Sequence, residues 1–204
     1  MKIIKLEQNT PEWHEMRLWK ITWTRLKDVM WSNNLKLVDT ILAELLSNET
    51  KTIKPSIDMQ RGTDEEPFAI QAYENLTWEK VEQIWFCLSD EFDWVGLSPD
   101  GLIKKDWIYK KWVEVKNPSS SKHIEYIRIN KIPNEYKYQV LHYFIVNEDM
   151  EELDFISYDR RVLAKPLHIV NVTRKDLQDE IENAKDELIK FKKKLDKYHN
   201  LILF

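Results

Sequence analysis

Apolar residues recur every three or four positions through the N-terminal third of the chain. This spacing places them on one face of an α-helix, because a helix turns once in about 3.6 residues. Between Ile57 and Leu76, for example, one face carries Gly62, Glu66, Ala69 and Tyr73. We therefore predict four helices in this part, over Pro11 to Trp19, Thr22 to Met30, Leu37 to Ser47 and Ile57 to Leu76.

The rest of the chain combines short apolar runs with two further helical patterns. The runs predict strands, of which the first four form one mixed sheet. The predicted strands are Val81 to Leu88, Asp93 to Leu97, Gly101 to Ile108, Lys111 to Lys116, Leu153 to Tyr158 and Leu167 to Val172. Asn134 to Asn147 is apolar on almost every side and predicts a helix buried against the sheet. A Thr173-x2-Asp176 cap begins a last helix, expected over about residues 174–199.

Length and composition predict one folded α/β domain over residues 1–204. The 204 residues are 43% hydrophobic and 32% charged, and no repeat or glycine-rich linker divides them. No apolar run approaches the roughly 20 residues of a membrane span, and Met1 to Leu6 lacks the apolar region of a secretion signal. We therefore expect no membrane contact and a cytoplasmic location. The single cysteine, Cys87, lies in an apolar run, which excludes a disulfide or a cysteine metal cluster within the chain.

The residues suited to chemistry lie in a Pro99-Asp100-Gly101 turn and in the strand that follows. Proline fixes its own φ and glycine permits a positive φ, so we expect Asp100 on a constrained turn between two strands. Glu114 and Lys116 are two residues apart and therefore share one face of a strand, while the valines between and before them face the core. Pairing of the two segments would bring Asp100 and Glu114 together. Two carboxylates can share a divalent cation that neutralises charge on a phosphate, and the lysine can polarise an attacking water.

Structural explanations for the same residues remain open. Glu114 and Lys116 alone fit an exposed strand with a surface ion pair. Glu66 is paired or metal-bound if it is buried, and otherwise lies in solvent at the edge of its helix stripe. Gln139, on the predicted buried helix, needs hydrogen-bond partners in either case. The sequence has no HExxH spacing and no Walker A glycine loop, which argues against a zinc hydrolase and an ATP-driven motor.

Six short motifs follow one another along the chain. They are Trp13-x3-Arg17, Ile21-Thr22-Trp23-Thr24, Gly62-x3-Glu66, Ser98-Pro99-Asp100-Gly101, Glu114-Val115-Lys116-Asn117-Pro118 and Tyr136-x2-Gln139. Together they resemble the PD-(D/E)xK nuclease superfamily and, within it, the phage lambda-type exonucleases that include the YqaJ-like viral recombinases. The resemblance spans Trp13 to about Asp159. The chain departs from the family pattern at Trp23, Thr24, Asn117 and Leu141, and none of these changes removes an expected metal ligand or the lysine.

The resemblance implies a restriction-endonuclease-like α/β core, with a mixed central β-sheet flanked by helices. It implies that metal ions bind to a set of four groups, namely Asp100, Glu114, the Val115 carbonyl and Glu66. Lys116 would orient and polarise the nucleophilic water, and Gln139 would help to hold that water or the phosphate. Arg17 and Thr24 match the family's anchor for a terminal 5′ phosphate. Candidates for stacking on bases at a DNA end are Trp19, Trp23 and Trp31.

The activity that the resemblance implies is Mg²⁺-dependent 5′→3′ digestion of double-stranded DNA ends, with Mn²⁺ substituting for Mg²⁺. The product would be a 3′ overhang for a single-strand annealing protein. The resemblance also implies a phage, prophage or viral origin and a homo-oligomer, which is a trimer in related enzymes. A net charge of −4 does not favour DNA binding by itself, so a local basic surface would be needed. Two alternatives stay open: a nuclease of the superfamily with other polarity or endonucleolytic action, and a DNA-end-binding protein with a silent site.

Overall fold

The computed structural model describes residues 1–47 and 56–203, without the side chains of residues 57–59. Its helices are α1 Pro11–Arg17, α2 Trp23–Val29, α3 Leu35–Ser47, α4 Ile57–Thr77, α5 Ser120–Ile129, α6 Lys137–Val146 and α7 Gln178–Leu203. Its strands are β1 Lys2–Ile4, β2 Phe86–Leu88, β3 Gly96–Leu97, β4 Gly101–Lys105, β5 Ile108–Lys116, β6 Glu152–Tyr158 and β7 Leu167–Thr173. All six predicted helices are confirmed, with ends that differ by a few residues. None of the described helices is long and apolar enough to cross a membrane.

A four-stranded mixed sheet in the order β4-β5-β6-β7 forms the centre of the fold. Strand β5 pairs in parallel with β6, and the two outer pairs are antiparallel. Helices cover both faces: Val113 and Val115 pack with Ala69 and Tyr73 of α4, and Trp112 packs with α6 on the other side. The predicted alternation of β5 is confirmed, and so is the α/β architecture with a mixed sheet between helices.

Two of the predicted strands do not belong to this central sheet. Strand β2 lies between β1 and β3 in a separate antiparallel sheet, so placing Val81 to Leu88 and Asp93 to Leu97 in the central sheet was wrong. Of the first segment, Glu82 still bridges to Leu102 of β4, through backbone hydrogen bonds of 2.8 and 2.9 Å. An apolar run indicates that a segment is buried, but partners distant in the sequence decide which sheet it joins.

Helix α5 and strand β1 carry no periodic signal strong enough to predict them. Only His123 and Tyr126 of α5 are buried, which is too narrow a stripe for periodicity to reveal. The end signals of α5 are present nevertheless. Ser119 occupies the N-cap position, and Asn130 ends the helix in the left-handed region with φ 46°.

The turn before β4 depends on close packing. None of the three glycines has a positive φ, so the turn does not use the positive φ that glycine would permit at Gly101. A Cβ atom at Gly101 would lie 2.2 Å from Val81 Cγ1 and 2.8 Å from Val113 Cγ2. Glycine is required here because β4 begins directly against these two side chains, one residue after Asp100.

Replacing Gly101 with alanine should therefore destabilise the protein. Overpacking of this kind costs about 1–3 kcal/mol in the free energy of unfolding, because β-branched valines have few rotamers to retreat into. The matched control is Gly62→Ala in α4, where a Cβ meets nothing within 4 Å. Removing a helical glycine should raise the free energy of unfolding by about 0.5–1 kcal/mol. Urea denaturation of both variants checks this, and equal stability of the two would contradict the packing explanation.

Candidate active site

Glu114 of β5 is a carboxylate in the core of the protein, with 0% of its surface exposed. Its Oε1 accepts hydrogen bonds from Gln139 Nε2 at 2.7 Å and from Lys116 Nζ. Its Oε2 accepts a hydrogen bond from the Tyr143 hydroxyl. The alternative of an exposed strand with a surface ion pair was therefore wrong, because helix α6 covers this face of the sheet and supplies two of the three donors.

Asp100 lies beside Glu114 in the preceding turn, as the predicted pairing requires. The register of β4 and β5 opposes Gly101 to Val113, and Asp100 Oδ2 accepts the Val115 N–H at 2.8 Å. Burial raises the pKa of Asp100 well above its usual value, and the negative charge of Glu114 raises it further, although Lys116 opposes both effects. The two carboxylates are close enough to repel each other.

Glu66 extends this acidic group from the opposite face of the sheet. It precedes the buried Ala69 and Tyr73 on the face of α4 that packs on the sheet. Burial, followed by the charge of Glu114, raises the pKa of Glu66 to about 7, while Lys116 lowers it. The carboxylate of Glu66 is partly buried and lies within the electrostatic field of the same site, and its role as a metal ligand stays a prediction.

Lys116 balances part of this negative charge. Burial alone would lower its pKa, but the charges of Glu114 and Asp100 outweigh burial and raise the pKa of Lys116 above its usual value. Two aromatic rings face the ammonium group, Tyr136 at 4.9 Å and Trp23 at 5.9 Å from Nζ to the ring centroids. Lys116 is thus held as a charged hydrogen-bond donor at the C-terminal end of β5.

The donor types at this position, carboxylates and an amide oxygen, are those that a hard divalent cation prefers. Three carboxylates face one lysine, and Gln139 Oε1 is buried without a hydrogen-bond partner among the described residues. In the described ranges no three His, Cys, Asp or Glu side chains are yet grouped closely enough to hold an ion. Both oxygens of Glu114 are engaged by neighbours. A cation therefore requires Lys116 to move from Glu114 to another partner, and metal binding stays a prediction.

Arg17 is attached to the turn that carries Asp100. Its Nη1 donates to Ser98 Oγ at 2.8 Å, and its guanidinium stacks 4.3 Å from the centroid of the Trp13 ring. Burial and the charge of Arg25 lower the pKa of Arg17 to about 10. The structure thus attaches Arg17 to Ser98, two residues before Asp100, and the stacking on Trp13 orients the fork of donors of Arg17.

The remaining sequence candidates lie around α2. Thr24 is exposed in the first turn of that helix, with its Oγ1 3.1 Å from Thr22 Oγ1. Trp23 is partly buried and reaches the site through its contact with Lys116. Trp19 instead lines a different cavity, together with Ile41 of α3 and Leu195 of α7. Its backbone N–H donates to Glu44 Oε2 at 2.7 Å, and no hydrogen bond between described residues joins Trp19 to Glu66, Asp100 or Glu114. Base stacking stays a prediction for Trp19 and Trp23.

Sequence reasoning missed Tyr143, which is buried and holds the second oxygen of Glu114. The signal was available, because Tyr143 follows Gln139 by four residues and therefore shares its face of α6. His142 on the same helix is also buried; its Nε2 hydrogen-bonds the Gly96 carbonyl at 2.8 Å. Burial lowers the pKa of His142 to about 4, so its ring is neutral and serves to attach α6 to β3.

Comparison with known proteins supplies a family for this arrangement. A family model described as the YqaJ-like viral recombinase domain matches residues 12–149. The fold is similar to an alkaline exonuclease from Laribacter hongkongensis, LHK-Exo, with 27% sequence identity over 95% of this chain and 98% of that chain and a TM-score of 0.77. A structure of LHK-Exo in complex with dAMP has the same identity and coverage and a TM-score of 0.78. A phage-related exonuclease from Haemophilus somnus shares the fold at 12% identity, a TM-score of 0.55 and coverage of 90% of this chain and 95% of that chain. No curated protein sequence matches this chain.

Tyr143→Phe should reveal how strongly the core depends on the bonds to Glu114. The change leaves one oxygen of a buried carboxylate without a donor, which costs about 1.5–3 kcal/mol in the free energy of unfolding. Tyr126→Phe is the control, because its hydroxyl donates at 2.7 Å to Glu135, a glutamate with a half-exposed side chain. That change should cost under about 1 kcal/mol. Chemical denaturation compares the two, and equal losses would contradict a special role for the Glu114 bond.

Proposed function

This chain belongs to the family of YqaJ-like viral recombinase domains, and on that basis we propose that it is a nuclease acting on DNA. The finer proposal is a Mg²⁺-dependent 5′→3′ exonuclease on double-stranded DNA. The observation that carries it is the buried Glu114, held by Lys116 and Gln139 beside Asp100 and Glu66. The similarity to LHK-Exo, solved in complex with a deoxynucleoside monophosphate, also supports it.

Asp100, Glu114, the Val115 carbonyl and Glu66 are the groups that would hold Mg²⁺, or Mn²⁺ in its place. The bound cation supplies Lewis-acid stabilisation of the charge that develops on the scissile phosphate. The chain itself brings together carboxylates that repel one another, and burial and this repulsion raise the pKa values of Asp100 and Glu66. Full ionisation of the cluster is therefore favourable only when positive charge is added. The Val115 N–H donates to Asp100 and so orients that carboxylate beside the Val115 carbonyl on the same strand residue.

Lys116 would position the attacking water. It is charged and points its ammonium group into the acidic cluster, so it can donate to a water and to a phosphate oxygen once it leaves Glu114. Gln139 keeps one donor on Glu114, and its Oε1 is free to accept a hydrogen from the same water. The two side chains would thus hold a water between a donor and an acceptor at the cleavage position.

Arg17 and Thr24 would select the end that is digested. A guanidinium presents parallel donors that match two phosphate oxygens, and Arg17 already donates to Ser98, which leads into the catalytic turn. A terminal 5′ phosphate bound there would place the next phosphodiester over Asp100 and Glu114. Trp23, beside Lys116, would stack on the base of that terminal nucleotide.

In this proposal the biological substrate is a double-stranded DNA end that must be resected for recombination. The 3′ overhang would pass to a single-strand annealing protein, and the enzyme would act as a homo-oligomer, a trimer by family resemblance. A phage- or prophage-encoded enzyme of this kind would work in the host cytoplasm.

A nuclease time course on 5′-phosphorylated linear duplex, with and without Mg²⁺, tests the proposed function. Closed circular duplex of the same sequence is the second substrate, and Asp100→Asn is the control protein. We expect release of mononucleotides from linear DNA in Mg²⁺ only, with no cutting of the circle. Cutting of the circle would support an endonuclease instead, and metal-independent end binding without any release would support a silent DNA-end-binding protein.

Lys116→Ala should separate water positioning from metal binding. Its turnover should fall by about 10²–10⁴-fold, because the water loses its donor. Mg²⁺ binding, measured by calorimetry, should persist, since the lysine is not a ligand. Glu114→Ala is the comparison and should lose both activity and Mg²⁺ affinity. If Lys116→Ala loses as much Mg²⁺ affinity as Glu114→Ala, the role given to Lys116 is wrong.

Arg17→Ala should abolish the preference for a 5′ phosphate. Wild type should digest 5′-phosphorylated duplex faster than 5′-hydroxyl duplex, because the bound phosphate sets the register of the strand. In Arg17→Ala the two rates should converge while Mg²⁺ binding is kept, and Arg17→Lys should recover only part of the preference. End-labelled duplexes provide the measurement. Equal wild-type rates on the two ends, or earlier release of a 3′ label, would count against 5′→3′ polarity.

A further inference from the structure

A cavity of ≈ 160 Å³ lies beside the proposed active site, and three arginines line it, namely Arg61, Arg160 and Arg161. Arg61 belongs to α4, and the other two belong to the loop that joins β6 to β7. Because β5 and β6 are parallel, their C-terminal ends lie at the same edge of the sheet. The loop after β6 is therefore brought next to Asn117, which follows the catalytic Lys116 and also lines the cavity.

Arg161 fastens this loop in place. Its Nε and Nη2 donate to the two oxygens of Asp159 at 2.7 and 3.0 Å, and its backbone N–H donates to Asp159 Oδ1 at 3.0 Å. Its Nη2 also donates to the Pro118 carbonyl at 3.2 Å, which ties the loop to the segment after β5. These hydrogen bonds attach the loop to the segment that follows β5. The neighbouring residue, Arg160, therefore lies in a part of the loop that is held in place.

Arg160 is the arginine of this loop that faces solvent. Its side chain is 60% exposed, although Nη2 pairs with Glu65 Oε1 at 2.7 Å. Its guanidinium also lies 5.4 Å from the centroid of the Phe68 ring of α4. A guanidinium has five N–H donors in a planar fork, so other donors remain after one of them pairs with Glu65. Arg160 is therefore oriented at the rim of the cavity with donors available to an anion.

Asn117 supplies an independent observation inside the cavity. Its Nδ2 donates to the Gly62 carbonyl at 3.0 Å, but its Oδ1 is buried and has no hydrogen-bond partner within the described residues. A buried acceptor of this kind calls for a group that brings hydrogens, such as ordered water. A hydrated phosphodiester satisfies both requirements, because its anionic oxygens suit the arginines and its water shell suits Asn117.

We propose that this arginine pocket binds a backbone phosphate of the DNA strand undergoing digestion, on the side of the cleavage position away from Arg17. Arg17 is held before Asp100 by Ser98, whereas the pocket begins after Lys116 and includes Glu65, the neighbour of Glu66. In this proposal the DNA strand passes from Arg17 over the carboxylates and continues toward this pocket. The cavity has room for roughly five water molecules, which suits a phosphate with part of its shell rather than a whole nucleotide.

The inference rests on the proposed function and names a second contact with the same substrate. It distinguishes the pocket from the 5′-phosphate anchor, since the pocket would hold an internal phosphodiester on the 3′ side of the scissile bond. Binding there would keep the strand aligned as each nucleotide is removed, and it would add one ionic contact to the affinity for DNA.

Arg160→Gln tests the pocket, with Lys190→Gln as the matched control. Each change removes one cation paired with a glutamate at 2.7 Å, but Lys190 lies on α7, away from the cavity. On 5′-phosphorylated duplex in Mg²⁺, Arg160→Gln should raise KM about tenfold, which corresponds to loss of one charge-assisted hydrogen bond. The salt dependence of duplex binding, as log Kd against log salt, should become shallower by about one unit. Lys190→Gln should change neither quantity.

Glu65→Gln separates phosphate binding from a merely structural ion pair. Removing the acid releases Arg160 for the phosphate, so duplex affinity should increase, whereas a structural pair would make both substitutions equally harmful. Thermal unfolding of each variant confirms that it is folded. Affinity that falls in Glu65→Gln as much as in Arg160→Gln would overturn the proposal.

Neutral methylphosphonate linkages, placed one at a time in the digested strand, locate the contact. One linkage on the 3′ side of the scissile bond should slow wild type about tenfold and have no added effect in Arg160→Gln. A sensitive position in the complementary strand only, or equal sensitivity in both proteins, would overturn the assignment. If wild type releases no nucleotides at all, the proposed function fails, and the salt slope of binding still decides whether the pocket contacts DNA.

Discussion

The rest of the site depends on one constraint, which is that a carboxylate buried in the core of the sheet must have all its hydrogen bonds supplied by the protein. Glu114 meets this constraint with three donors: Lys116 from its own strand, and Gln139 and Tyr143 from one face of α6. Helix α6 is therefore positioned as much by polar bonds as by its apolar surface. The same bonds hold the amide of Gln139 on Glu114 and hold Lys116 where its charge acts on Asp100 and Glu66.

The mutual repulsion of the acids follows from the same burial. Glu114 raises the pKa of both Asp100 and Glu66, and a single lysine offsets only part of this effect. The cluster is costly to fold without added positive charge, and under the proposed function that loss of stability maintains a site able to attract a cation. The overall negative charge of the chain is compatible with DNA as a substrate, because basic side chains lie near the acidic cluster: Arg17 donates to Ser98 of the turn that carries Asp100, and Arg160 pairs with Glu65, the neighbour of Glu66.

Sequence periodicity predicted the parts of the fold that depend on local spacing. The two faces of β5, the shared face of Glu66 and Tyr73, and the buried α6 all follow from periods of two and of about 3.6 residues. Sequence periodicity could not predict contacts between residues that are distant in the sequence. The separate sheet of β2 depends on β1, the need for Gly101 depends on Val81, and the pocket around Arg160 depends on the parallel pairing of β5 and β6. Tyr143 combines both situations. Its spacing from Gln139 could be recognised in the sequence, but its hydrogen bond to Glu114 could not.

The most direct test of the account is the thermal unfolding midpoint in Mg²⁺ and in EDTA, without DNA, for wild type and for Asp100→Asn. A cation that binds only the folded acidic cluster stabilises the protein by mass action. We therefore expect Mg²⁺ to raise the midpoint of wild type and to leave that of Asp100→Asn unchanged, while Asp100→Asn in EDTA should be at least as stable as wild type because one repelling charge is gone. An equal Mg²⁺ shift in both proteins, or none in wild type, would contradict a metal site built around Glu114.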